Sequence, residues 1–212
     1  MSRKWCALLV IGVVVAGIAL WYFQETANAF DNEGRYDSTV LNDLGVIYVS
    51  QSDIYAFNEG WSDSDNCPWG FEHRGVDYFF DNHSDVIAAA PGLVVEISWQ
   101  EYPESTYNMY MVHVNIQFNQ SVTIGYCFEP FTLDEADKDL QLSMVDVEVG
   151  DWVEKGQKIA DFLHIGDGAH VHFDIWSDNE FSSIMNYITQ DTYNELLSLI
   201  HTYNPTWDLY YP

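Results

Sequence analysis

Three of the seven histidines fall in two short clusters whose residue types and spacing suit metal chemistry. The first cluster is His73-Arg74-Gly75-Val76-Asp77, and the second is His170-Val171-His172-Phe173-Asp174-Ile175. Successive side chains of a strand point to opposite faces. Alternation therefore sets His73, Gly75 and Asp77 on one face, with glycine leaving space above the backbone between two ligand-type side chains. The same alternation groups His170, His172 and Asp174 and turns Val171, Phe173 and Ile175 toward a core. Imidazoles and a carboxylate drawn from separate strands match the three-ligand, open-position pattern of catalytic zinc. A lone His-x-His is more often an ordinary exposed pair. Two such clusters in one chain point to a shared ion.

The elements that must position these side chains read as mainly β. From Trp61 onward, short runs rich in Val, Ile and aromatics are separated by turn signals. Asp85 to Ala90 is closed by Pro91-Gly92, and Leu93 to Trp99, Tyr110 to Phe118 and Val122 to Phe128 follow. Such spacing predicts an antiparallel sheet in a sandwich or barrel-like arrangement. Asp191 to His201 places Tyr193, Leu196, Leu197 and Ile200 at helical spacing, with Thr189 or Asp191 available as N-cap. This predicts a C-terminal helix packed on the sheet. Phe131 to Asp139, with four acids, reads as a solvated loop or short helix. His83, His113 and His164 read as structural or solvent-facing, and His201 as a polar residue in the last turn of the helix.

At the other end, Arg3 and Lys4 precede 19 uncharged residues from Trp5 to Phe23. At about 1.5 Å per residue they would span roughly 28 Å as a helix, close to the ~30 Å hydrocarbon core of a bilayer. Ala27-Asn28-Ala29 offers a cleavage site, so the segment is either an uncleaved single anchor or a signal removed from a secreted protein. Both readings put the remainder outside the cytoplasm. The expected layout is an anchor or signal over 1–29 and a linker with N-terminal extension over 30–60. The domain over 61–185 that carries both histidine clusters and a C-terminal helical extension over 186–212 complete it.

Composition narrows the partners. The 212 residues carry 33 acids against 7 Lys and Arg, a formal charge of −26. That balance excludes a nucleic-acid binder, which needs cations to displace phosphate counterions. At 48% hydrophobic residues the chain is also far from the disordered class. Three cysteines are too few for a Cys-rich zinc module.

From Trp69 to Trp176 the chain resembles the lysostaphin-type zinc endopeptidases, which mostly cut peptide cross-links in bacterial cell walls. Four ordered blocks carry the resemblance: His73 to Asp77, Val86-Ile87-Ala88-Ala89-Ala90-Pro91-Gly92-Leu93-Val94, Val149 to Ala160, and Gly168-Ala169-His170-Val171-His172-Phe173-Asp174. The resemblance implies a duplicated hybrid motif with a groove across its sheet. It also implies that His73, Asp77 and His172 bind Zn2+ and that His170 is a catalytic histidine. The substrate would be a peptide or cell-wall peptide, and the membrane a partner through the N-terminal segment if that is uncleaved.

One departure bears on activity. The family usually carries a second catalytic histidine in a Tyr-x-His-Leu-like strand, and here Thr123-Ile124-Gly125-Tyr126-Cys127-Phe128 puts Cys127 at that position. Three readings of Cys127 stand: a disulfide with Cys67, a fourth zinc ligand closing the site, or a small apolar substitute. None supplies the missing base, so the alternative function is a catalytically impaired homologue that binds a wall component or a partner enzyme. Asp174 takes a position usually held by Glu, and Glu129 to Glu148 is longer than the family's usual connection. A carrier domain of the biotinyl or lipoyl type is a third reading, suggested by Gly150 to Ala160, but it leaves His73 and Asp77 unexplained.

Overall fold

A computed structural model describes residues 40–212. The segment 1–29, with its expected membrane or signal helix, lies outside the described residues. Among those described, no helix is long and apolar enough to cross a membrane.

The described residues build twelve strands: β1 (Ile54–Ala56), β2 (Trp61–Ser62), β3 (Val76–Phe80), β4 (Asp85–Ile87), β5 (Gly92–Glu101), β6 (Tyr110–Gln117), β7 (Val122–Glu129), β8 (Trp152–Val153), β9 (Lys158–Asp161), β10 (His170–Ser177), β11 (Glu180–Phe181) and β12 (Tyr210–Tyr211). Two α-helices join them, α1 (Glu135–Ser143) and α2 (Gln190–Tyr203). The main sheet runs β1-β3-β10-β7-β6-β5-β8, with β11 paired to β10, and every pairing within it is antiparallel. Two small sheets, β4-β9 and β12-β2, complete the architecture.

The expected alternation is most regular in β6. Tyr110, Val112, Val114 and Ile116 are buried, while Met111, His113, Asn115 and Gln117 are half-buried on the other face. In β7, Ile124, Tyr126 and Phe128 join the core, as do Val171, Phe173 and Ile175 of β10. The same buried cluster takes in Val86 of β4, Ile159 and Ala160 of β9, and Leu196, Leu199 and Ile200 of α2. One polar group is accommodated there, because the Tyr126 hydroxyl accepts a hydrogen bond of 2.7 Å from the Ala89 backbone N–H. Leu41, Leu44, Ile47, Ile54 and Phe57, from the segment read as linker and extension, are buried in this core as well.

Thr189 caps α2 by accepting from the Thr192 N–H, which settles the choice between Thr189 and Asp191. The acidic stretch forms α1, capped by Asp134 and carrying Glu135 and Asp137 in its first turn, where carboxylates favour the positive end of the helix. Its Lys138 ammonium sits 3.8 Å from the centre of the Trp99 ring on β5.

Candidate metal centre

β3 and β10 are neighbours, and their register sets Asp77 directly opposite His172. His73 lies three residues before β3 and is pinned by two bonds. Its backbone N–H donates to the Ser62 hydroxyl at 2.9 Å, and its Nδ1–H donates to the Gly60 carbonyl at 2.7 Å. With Nδ1 occupied, the His73 Nε2 lone pair turns inward. Nε2 of His73 lies 3.1 Å from Nδ1 of His172 and 3.2 Å from Oδ1 of Asp77, and that oxygen is 2.8 Å from His172 Nδ1. Two imidazole nitrogens and a carboxylate oxygen thus converge, all within 4.8 Å of one another.

Gly75 serves this convergence differently from the sequence reading. A Cβ there would stand 2.4 Å from Cε1 and 2.6 Å from Nε2 of His172. The space that glycine leaves is filled by the ligand's own ring.

The electrostatics suit a cation. Burial works against an ionised Asp77, but His170, His172 and His73 around it hold its carboxyl well below the usual carboxylate range. His172 is depressed by burial but carried up to about 9 by its hydrogen bond to Asp77 and the charges of Asp77, Asp174 and Glu129. Asp174 reaches His172 from the other side, with Oδ2 3.7 Å from Nε2. Burial raises the Asp174 carboxyl, and its Oδ1 has no hydrogen-bond partner among the described residues.

His170 stands beside the cluster. Its Nδ1–H donates to the Gly168 carbonyl at 2.7 Å, which leaves Nε2 facing the groove, 3.6 Å from Asp77 Oδ2. Its ring lies between Phe79 and Phe131, at 5.1 and 5.5 Å between centres. Phe131 adopts a left-handed backbone, φ 57°, and lies so close over the 166–168 loop that a Cβ on Gly168 would come within 2.1 Å of its ring. The loop carrying the acceptor for His170 is therefore clamped by an aromatic side chain. Burial lowers the affinity of His170 for a proton, but Asp77 and Glu129 more than restore it, and the net shift is upward.

The cysteines correct the sequence reading. Both Cys67 and Cys127 are free thiols, so the disulfide, one of the three readings of Cys127, is not made. Cys67 points its thiol at the Phe71 carbonyl, 3.2 Å away, within its own turn. Cys127 is buried opposite His172, its sulfur 3.9 Å from Nε2 of His113 and 3.8 Å from Oε1 of Glu129. It is not among the three residues that converge. Burial and nearby carboxylates push its thiol well above the ordinary range.

The residue opposite His170 is Glu129, two positions beyond Cys127. Residues two apart share a face, so the alternation pattern alone cannot distinguish them, and only strand register does. Glu59 was also missed because it sits in the segment read as an extension. Its carboxyl is pushed up to about 7 by burial and by Asp77, and its backbone carbonyl accepts from the Asp77 N–H. His113 lines the groove, whereas His164 bonds the Phe80 carbonyl and His201 the Trp207 carbonyl.

His73, Asp77, His113, Cys127, Glu129, His170, His172 and Asp174 line an open groove of about 560 Å³, together with Tyr102, Trp176 and Phe181. An antiparallel sheet presenting two imidazoles and one carboxylate to an open groove defines the class of a three-ligand metal site with a free position.

No protein-family model matches the chain, and no curated protein does. Solved structures with a similar fold include a zinc-containing peptidase from Vibrio cholerae, at TM-score 0.46 and 19% identity over 68% of this chain and 40% of that one. The catalytic domain of lysostaphin from Staphylococcus simulans gives TM-score 0.41 and 22% identity over 62% of this chain and 90% of that one. Csd3 from Helicobacter pylori gives 0.46 and 19% over 70% and 34%. The chain thus spans well under half of the Vibrio and Helicobacter proteins.

Proposed function

We propose that this chain is a zinc-dependent endopeptidase that hydrolyses peptide bonds, with cell-wall peptides as its substrate class. The observation that carries the proposal is the convergence of His73 Nε2, Asp77 Oδ1 and His172 Nδ1 at the floor of an open groove. Imidazole and carboxylate donors with one open position suit Zn2+ in a hydrolytic site. Bound there, zinc would lower the pKa of water toward about 7 and polarise the scissile carbonyl. His170 donates Nδ1–H to the Gly168 carbonyl, and in its imidazolium form, which Asp77 and Glu129 favour, its Nε2–H would donate to the charge developing on the carbonyl oxygen.

The cell-wall target rests on the four blocks that resemble the lysostaphin-type enzymes. On the same basis we read the sheet as that family's duplicated hybrid motif, within a domain over 61–185, and the protein as extracytoplasmic, anchored or secreted. The test is metal analysis of the purified protein together with cleavage of cell-wall and glycine-rich peptides, with His170→Ala as control. The expected result is one zinc per chain, and cleavage that His170→Ala abolishes while zinc is retained. Stoichiometric zinc with no cleavage of any such peptide would defeat the enzymatic reading. It would favour the binding-module alternative suggested by the lack of a histidine at position 127.

A further inference from the structure

We propose that Glu129 is the general base of this site, the proton acceptor that sequence reading found missing at Cys127. The proposal rests on the endopeptidase reading above. Register sets Glu129 opposite His170, and its Oε1 lies 3.7 Å from His170 Nε2. That gap is longer than a hydrogen bond and matches the loosened spacing of catalytic pairs before substrate binds.

The carboxylate is held, not free to wander. Its Oε2 accepts from Asn108 Nδ2 at 2.6 Å, and the Cys127 thiol approaches Oε1 at 3.8 Å. Asn108 is itself buried, and its backbone N–H is bound by the Ser105 hydroxyl. Its own side-chain oxygen has no hydrogen-bond partner among the described residues. A buried amide with one unsatisfied end is destabilising, and a fold that keeps one benefits from what the other end holds. Here that is a carboxylate aimed into the groove beside the metal-ligand cluster. Of the other carboxylates lining the groove, Asp77 belongs to the ligand cluster and Asp174 lies on the far side of His172.

In the step assigned to Glu129, water attacks the scissile carbonyl carbon. An oxygen–carbon bond forms, and one water proton passes to the Glu129 carboxylate. The carbon–nitrogen bond then breaks, and Glu129 returns that proton to the departing amine. The second water proton ionises from the new carboxylic acid, so Glu129 ends as it began.

The experiment compares parent and Glu129→Gln, which keeps the shape and an oxygen for Asn108 but cannot take the proton. Zinc affinity and binding of a non-cleavable glycine-rich peptide are each measured by calorimetric titration, and kcat is measured on the cleavable peptide. The expected result is zinc and peptide affinities within about twofold of the parent, with kcat lower by about 10²–10⁴-fold. Glu129→Gln cleaving at the parental rate overturns the assignment while leaving the endopeptidase reading intact. A variant that loses zinc or peptide binding along with kcat overturns it in favour of a structural role. A parent that binds zinc but cleaves nothing overturns both.

Discussion

At the residue scale, a proton and a metal ion compete for the same nitrogen. In the metal-free protein His172 is raised from its ordinary 6.5 to about 9, against its burial, by Asp77 and the neighbouring acids. A raised imidazole contributes stability that is fully present below about 6.5 and is lost as pH climbs through about 9. Asp77, shifted downward, contributes in the opposite sense: its share is present above the ordinary carboxylate range and is lost only in acid. The thermal midpoint of chelator-treated protein is therefore expected to fall between pH 6.5 and 9. Zinc should raise it more at pH 8.5 than at pH 6, because metal replaces the proton on His172. Calorimetric scans across that range check this, and a flat profile without metal would contradict the described ion pair. His170 and His172 were legible because their types and period-2 spacing specify one face of β10, whereas His73, outside β3, was legible by type and by closeness to Asp77 and is aimed by its bonds to Ser62 and Gly60. Glu129, Glu59 and Asn108 were not, since nothing local to a carboxylate or an amide in sequence tells which strand will lie beside it.

At the scale of elements, the strands were readable from alternation, and the runs at 85–90, 93–99, 110–118 and 122–128 became β4 to β7 with ends shifted by a few residues. The pairing of β10 between β3 and β7 was not readable, because it joins segments about a hundred and about fifty residues apart. The apolar stretch from Leu41 to Val49 was visible, but its place in the core was hidden, since no short apolar run in a polar, acid-bearing segment says what it packs against. The contact between the Tyr126 hydroxyl and the Ala89 N–H ties β7 to the turn that precedes β5. Tyr126→Phe keeps the packing but strands a buried N–H. It is expected to destabilise the fold by about 1–3 kcal/mol in denaturant unfolding, with the slope unchanged. A loss under about 0.5 kcal/mol would mean that water replaces the hydroxyl.

At the scale of the whole molecule, charge selects the substrate. The formal charge is −26, and among the described residues no Lys or Arg lines the groove. The described cations are already committed: Arg74 to Asp63 and Glu72, Lys138 to Glu135 and Asp139, Lys155 to Asp43, and Lys158 to Asp85, Asp146 and Asp161. Such a field draws in positive ligands and repels negative ones. Peptides bearing a free lysine-type amine near the scissile bond are expected to show kcat/KM about tenfold above their glutamate counterparts at low salt, narrowing toward parity near 1 M salt as screening shortens the field's reach. Equal rates for both peptides at low salt would show that the groove does not feel the molecule's charge.

The connection from β7 to α1 is short, and Phe131 within it works as a keystone, its ring covering the 166–168 loop whose carbonyl orients His170. The helix beyond it is fastened in turn, because the Gln141 side chain accepts from the Leu163 N–H and donates to the Asp161 carbonyl. A change at this rim is therefore transmitted to the loop that aims the imidazole, which couples the outline of the groove's edge to its chemistry.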